Sequence, residues 1–79
     1  MRLDKYLKVS RIIKRRTIAN EVCDAKHVSV NGVAARASYE VKIGDIIEIS
    51  MGSSKISVQV LNISEYAAKE TASQMFKAL

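Results

Sequence analysis

HVSVNG, residues 27–32, is where this chain changes its period. Val28 and Val30 alternate with Ser29, the repeat of two expected of a half-buried strand. Asn31-Gly32 comes next. An Asn-Gly pair after an alternating run signals a tight hairpin, because a type I′ turn needs φ > 0 at both central residues. Val33 to Arg36 is then the returning strand. Everything N-terminal to this stretch reads with a helical period, and the residues beyond it, as far as Val60, read as strands.

Working back toward the N-terminus, residues 16–25 form one expected helix. Ile18, Ala19, Val22 and Cys23 make its narrow apolar stripe, with Asn20, Glu21 and Asp24 opposite. Thr17 is the expected cap, with Arg15 as the other boundary candidate. Residues 3–13 form another helix, with Leu3, Tyr6, Leu7 and Ile13 on one stripe. Lys5, Lys8 and Arg11 project away from that stripe at intervals of three. Asp4 sits where an acid complements the helix dipole, and Ser10-Arg11 is the weak point where this helix ends or bends.

Working forward, Val41-Lys42-Ile43-Gly44-Asp45 turns into a strand, Ile46 to Met51, with Ile47, Ile49 and Met51 on one face. Gly52-Ser53-Ser54-Lys55 is the next loop. Ile56, Val58 and Val60 alternate with Ser57 and Gln59 in a closing strand. Ser64 to Leu79 is helix-leaning and Ala-rich, with Ser64 as its cap. The expected fold class is α+β: two helices on a small antiparallel sheet, residues 1–63, with a C-terminal helical extension or tail, 64–79.

The charge is uneven. Residues 1–16 hold seven of the thirteen Lys and Arg and a single acid, Asp4. The remaining sixty-three residues hold six basic and seven acidic side chains, so the net charge of +5 resides in the helical half. A basic end on a balanced domain implies a polyanionic partner, and nucleic acid is the commonest one. Lys14-Arg15-Arg16 crowd the N-terminus of the second helix. Cations gain nothing from a helix dipole at that end, but a phosphate there meets both free backbone N–H groups and basic side chains.

Several classes are excluded or disfavoured. A chain of 79 residues buries only roughly 60% of its unfolded surface, which leaves room for a thin core and no large catalytic cleft. The apolar fraction of 48% argues against wholesale disorder. One cysteine, Cys23, rules out an internal disulfide and suits a reducing, cytoplasmic compartment. No apolar run approaches a membrane span, and no h-region marks a secretory signal. His27 and Cys23 alone make no zinc site of ordinary spacing, and Cys23 reads as a small core residue. Gly32, Gly44 and Gly52 are too dispersed for a phosphate-cradling loop. No cofactor is expected, and the chain reads as a binding module, not an enzyme.

The candidate RNA-binding residues are Arg2, Lys5, Lys8, Lys14, Arg15, Arg16 and Asn31, with Arg11, Lys26 and His27 as secondary candidates. The plain alternative for Lys5, Lys8 and Arg11 is a solvated helix face. The arginines are the better candidates for fixed contacts, because a guanidinium grips phosphate bidentately. The aromatic residues, Tyr6, Tyr39, Tyr66 and Phe76, are too few for a base-stacking array. Shape and backbone recognition is therefore the expected mode.

Arg2-Leu3-Asp4, Arg16, Ala19, Val22, His27 to Gly32, and Val41 to Asp45 together resemble the RNA-binding domain named after small-subunit ribosomal protein S-four. The pattern covers residues 2 to about 50. It implies the two-helix αL motif packed on a small antiparallel sheet, presenting a basic face to structured RNA. Arg2 and Arg16 match the family's RNA-contacting arginines, and Lys5, Arg15 and Asn31 lie in or beside the same motif. The string RLDKYLKVSRIIKRRTIANEV is most similar to a short Gram-positive branch acting in ribosome-associated quality control. A ribosome-associated heat-shock branch is the other near resemblance. The first implies binding to ribosomal RNA of the large subunit and to peptidyl-tRNA. It also implies work beside a tRNA-recruiting factor during alanine tailing. Apart from the resemblance, the expectation is a cytoplasmic monomer with no membrane partner. A targeting module of an RNA-modifying enzyme, or a domain that binds an acidic protein, are the alternatives. Lys26 departs from the family pattern, which often has Gly there. It must adopt φ > 0 or let the helix end differently.

Overall fold

The structure is a computed structural model in which residues 1–63 and 74–79 are described. The first helix, α1, spans Leu3–Val9 and the second, α2, spans Arg16–Asp24. Strands come next as β1 (Val28–Val30), β2 (Val33–Ala34), β3 (Ile46–Met51), β4 (Ser54–Val60) and β5 (Phe76–Ala78). They form one antiparallel sheet in the order β2-β1-β3-β4-β5.

The change of period at HVSVNG is the join between the layers. Leu3, Tyr6 and Leu7 of α1, Ala19 and Cys23 of α2, and Val28, Val30, Ile47, Ile49, Val58 and Val60 of the sheet belong to one buried cluster. The register explains which strand residues enter it. Val28 pairs with Ile49, Val30 with Ile47, and Ile47 with Val58, so the inward residues of three strands stack on one face. Met51 has the same parity as Ile47 and Ile49, yet at the strand's end it is exposed.

Asn31 and Gly32 have φ of 54° and 85°, the two positive values that the tight hairpin requires. The Asn31 side chain locks this turn. Its Nδ2 donates to Asp45 Oδ1 at 3.1 Å, and its Oδ1 accepts from the Ile46 backbone N–H at 3.0 Å.

Both helices end on a left-handed residue. Arg11 and Lys26, one residue beyond the caps Ser10 and Ala25, take φ of 63° and 66°. Beyond α2, the Lys26 N–H donates to Cys23 O and the His27 N–H to Val22 O, the paired bonds of a Schellman ending. Glycine is the usual residue in that left-handed position; here both places hold a cation.

Four expectations are corrected. Helix α1 stops at Val9, not residue 13, because Arg11 turns the chain; Ile13 still packs in the core. Helix α2 is entered at Arg15 and not capped by Thr17, and no side-chain cap bond forms. The loop before β4 is only Gly52-Ser53, since Ser50 already pairs with Lys55 and Met51 with Ser54. The helix-leaning reading of 64–79 fails at its end. Phe76–Ala78 is a strand on β4, because that edge offers unpaired backbone groups, and Met75 is buried beneath it. The rest of that reading, residues 64–73, lies outside the described residues.

Candidate nucleic-acid interface

The surface begins with a buried acid. Asp4 is 2% exposed, in the first turn of α1. Its Oδ1 accepts from the Lys5 backbone N–H at 2.8 Å and lies 3.3 Å from Arg2 Nε. Its Oδ2 accepts from Asn20 Nδ2 at 3.2 Å and from Arg16 Nε at 3.5 Å. Burial alone would push this carboxyl up. The bonds from Asn20 and Lys5 and the charges of Arg16 and Arg2 outweigh it, so the pKa lies below the ordinary aspartate value of 3.8. Asp4 therefore stays ionised and holds two guanidinium groups, one from the residue capping α1 and one from the start of α2, on one surface. About half of each arginine side chain remains in water, 50% for Arg2 and 49% for Arg16.

The remaining basic candidates fall into groups. Lys8, Arg11 and Lys14 line one open cleft where α1 turns toward α2. Arg15 is exposed at the entry to α2, between Lys14 and Arg16. Lys5 is half-buried on α1. Lys26 and His27 are exposed at the opposite end of α2 from Arg16. Asn31 stands apart from these, with its amide engaged by Asp45 and Ile46.

The Cys23 thiol is buried and pushed up to about 12, chiefly by burial and further by the carboxylates of Asp4 and Asp24. It is a thiol at neutral pH and part of the core, as its stripe position implied. Among the described residues, no group of three His, Cys, Asp or Glu side chains is placed to hold a metal ion. No helix among them is long and apolar enough to cross a membrane.

The family model of the S4 domain matches residues 1–47, which include α1, α2 and the Asn31-Gly32 hairpin. Over its full length the chain is 48% identical to the RQC P-site tRNA stabilizing factor of Streptococcus pneumoniae, covering 90% of that protein. This chain belongs to the S4 domain family, in the group of RQC P-site tRNA stabilizing factors. The relative of that name in Bacillus subtilis is also 48% identical, with all of this chain and 92% of the other covered. Among solved structures, Vibrio cholerae Heat Shock Protein 15, described as trimeric, superposes with a TM-score of 0.91 at 29% identity. That match covers all of this chain and 81% of the other.

Within this S4 domain, sequence reasoning missed two residues that organise the surface. Asp4 reads as a motif residue and a first-turn acid on the helix dipole, yet it anchors both arginines. Asn20 reads as an outer-face residue with Glu21 and Asp24, yet it turns toward Asp4. The signal for Asn20 was its spacing of four from Arg16, which sets both on one side of α2. Ile18, expected in the apolar stripe, is 41% exposed instead.

Proposed function

We propose that this chain is a non-enzymatic, monomeric RNA-binding factor of ribosome-associated quality control in the cytoplasm. It binds ribosomal RNA of the large subunit and the peptidyl-tRNA held there, and it steadies that tRNA while a separate tRNA-recruiting factor extends the stalled chain with alanine. The observation that carries this reading is the full-length likeness to relatives named as P-site tRNA stabilizing factors. The physical support is the fixed pair Arg2 and Arg16, flanked by Lys5, Lys8, Lys14 and Arg15. Such groups neutralise and grip phosphate oxygens without reading sequence. Arg11, Lys26 and His27 extend the basic surface at the two helix ends. Asn31 shapes the turn of its motif.

The test is sucrose-gradient sedimentation of the tagged protein, with sequencing of crosslinked RNA. Co-migration with large subunits carrying peptidyl-tRNA, lost on nuclease treatment, supports the reading. Crosslinks confined to small-subunit RNA, or sedimentation that survives nuclease digestion, overturn it.

A further inference from the structure

Between the end of α2 and β2 lies a cleft of about 310 Å³, lined by Cys23, Asp24, Lys26, Ala34, Ala35 and Arg36. None of the Arg2–Asp4–Arg16 cluster lines it. Its volume is at the small end of ligand pockets, enough for one nucleotide and not for a helix. Its floor is apolar and made of small groups: Ala35 and Cys23 are buried and Ala34 has a single methyl. Its rim carries Lys26 and Arg36, both exposed and, among the described residues, in no ion pair. Asp24 supplies an acceptor, with Oδ1 already bonded to the Ala37 N–H at 3.3 Å. Lys26 keeps its place in a left-handed conformation that is costly for an L-residue and that glycine would adopt freely.

The cleft is coupled to the arginine pair through one residue. The Ala37 N–H donates to Asp24, and its carbonyl accepts from the Asp4 N–H at 3.2 Å. Ala37 thus bridges the carboxylate beside the cleft and the backbone of Asp4, the residue whose side chain holds Arg2 and Arg16.

We propose that this cleft takes one unstacked nucleotide, its phosphate on Lys26 and Arg36 and its base on the alanine floor. Unstacked bases are the usual target when a protein reads RNA by more than its backbone. Asp24 Oδ2 accepts from an N–H on the base edge, a donor that guanine, adenine and cytosine all present. The proposal rests on the RNA-binding reading above, although its first test needs no ribosome.

The full chain is titrated with guanosine 5′-monophosphate and, separately, with inorganic phosphate, while backbone amides are followed by NMR. The nucleotide shifts Lys26 and Ala34 to Arg36, with an affinity at least about tenfold above that of phosphate. Arg36→Ala weakens nucleotide binding about tenfold, the size of one charge-assisted hydrogen bond. Ala34→Trp, at an exposed strand position, fills the cleft and removes the nucleotide shifts while phosphate still binds. Equal affinity for nucleotide and phosphate overturns the proposal, as do nucleotide shifts that persist in folded Ala34→Trp. If that variant does not fold, unchanged nucleotide affinity in Arg36→Ala overturns it. Sedimentation with large subunits separates the two readings. Loss of wild-type co-sedimentation defeats the quality-control assignment and leaves the titration standing, whereas a blank titration defeats the cleft alone.

Discussion

Arg16, at the start of α2, is tied to Asp4 on α1, with Arg16 Nε 3.5 Å from Asp4 Oδ2. The same carboxylate reaches Arg2 through its other oxygen. Removing the carboxylate leaves Asn20, the Lys5 N–H and two guanidinium groups without their acceptor. Asp4→Ala should cost about 2 kcal/mol. That is less than the roughly 3–5 kcal/mol of breaking a fully buried pair, because both arginines stand half in water. Asp4→Asn should keep more of the fold but lose the arginine alignment, so RNA affinity falls further than stability. Thermal unfolding and large-subunit binding on the same variants check this. Equal, wild-type affinity in folded Asp4→Asn would refute the anchoring role.

Arg16→Ala removes a side chain that stands half in water and outside the apolar core, so the fold should survive while co-sedimentation with large subunits is lost. Arg2→Ala should weaken it strongly. Near-physiological salt is needed for this comparison, since each phosphate neutralised contributes about −0.7 to −0.9 to the log–log salt slope. A circular dichroism spectrum unchanged in both variants, with binding unchanged as well, would remove these residues from the interface.

Tyr6 Oη donates to the Met75 carbonyl at 2.7 Å, a buried bond that ties α1 to the residue before β5. That carbonyl also accepts from Leu61 N at 2.8 Å. Because the acceptor keeps a partner, Tyr6→Phe should cost only about 1 kcal/mol. Amide exchange should quicken first at Phe76–Ala78. Denaturant titration and hydrogen exchange together measure both effects.

Stability should fall at both extremes of pH. The folded Asp4 pKa is depressed, so its contribution is complete above 3.8 and is lost as pH falls through the lower folded value. Burial pushes Tyr6 up to about 12 from 10.0, and Cys23 up to about 12 from 9.0. Their contributions are complete below the unfolded values and drain away as pH rises toward 12. Urea midpoints measured across pH should decline in both directions. Tyr6→Phe should flatten part of the alkaline arm; an identical alkaline arm in that variant would contradict the burial argument.

What could be read from the residues was what local chemistry dictates. The hairpin at Asn31-Gly32 was legible because few other pairs tolerate two positive φ angles. The end of α1 at Ser10-Arg11 and the left-handed turn at Lys26 were legible as points of conflict in the pattern. The two arginines of the candidate interface were matched through the family motif. Contacts between distant positions were not legible. Asp4 looked like an ordinary first-turn acid, since nothing local reveals that Asn20 and Arg16 fold over it. The strand Phe76–Ala78 was hidden because three residues are too few to display a period, and the preceding alanines favour helix. Its conformation is imposed by the open edge of β4. Arg36, isolated in sequence, gained meaning only when the fold set it beside Lys26 on the rim of one cleft.

The repeated helix ending has a further consequence. At Arg11 and Lys26 the backbone would relax with glycine, while the charge would vanish with it. Thermal stability and electrostatic attraction are thus opposed at two single codons. A lineage living hot, or a designer seeking a rigid scaffold, can drift toward glycine at these corners. A chain that must seize a crowded, salt-bathed polyanion is held to the cation.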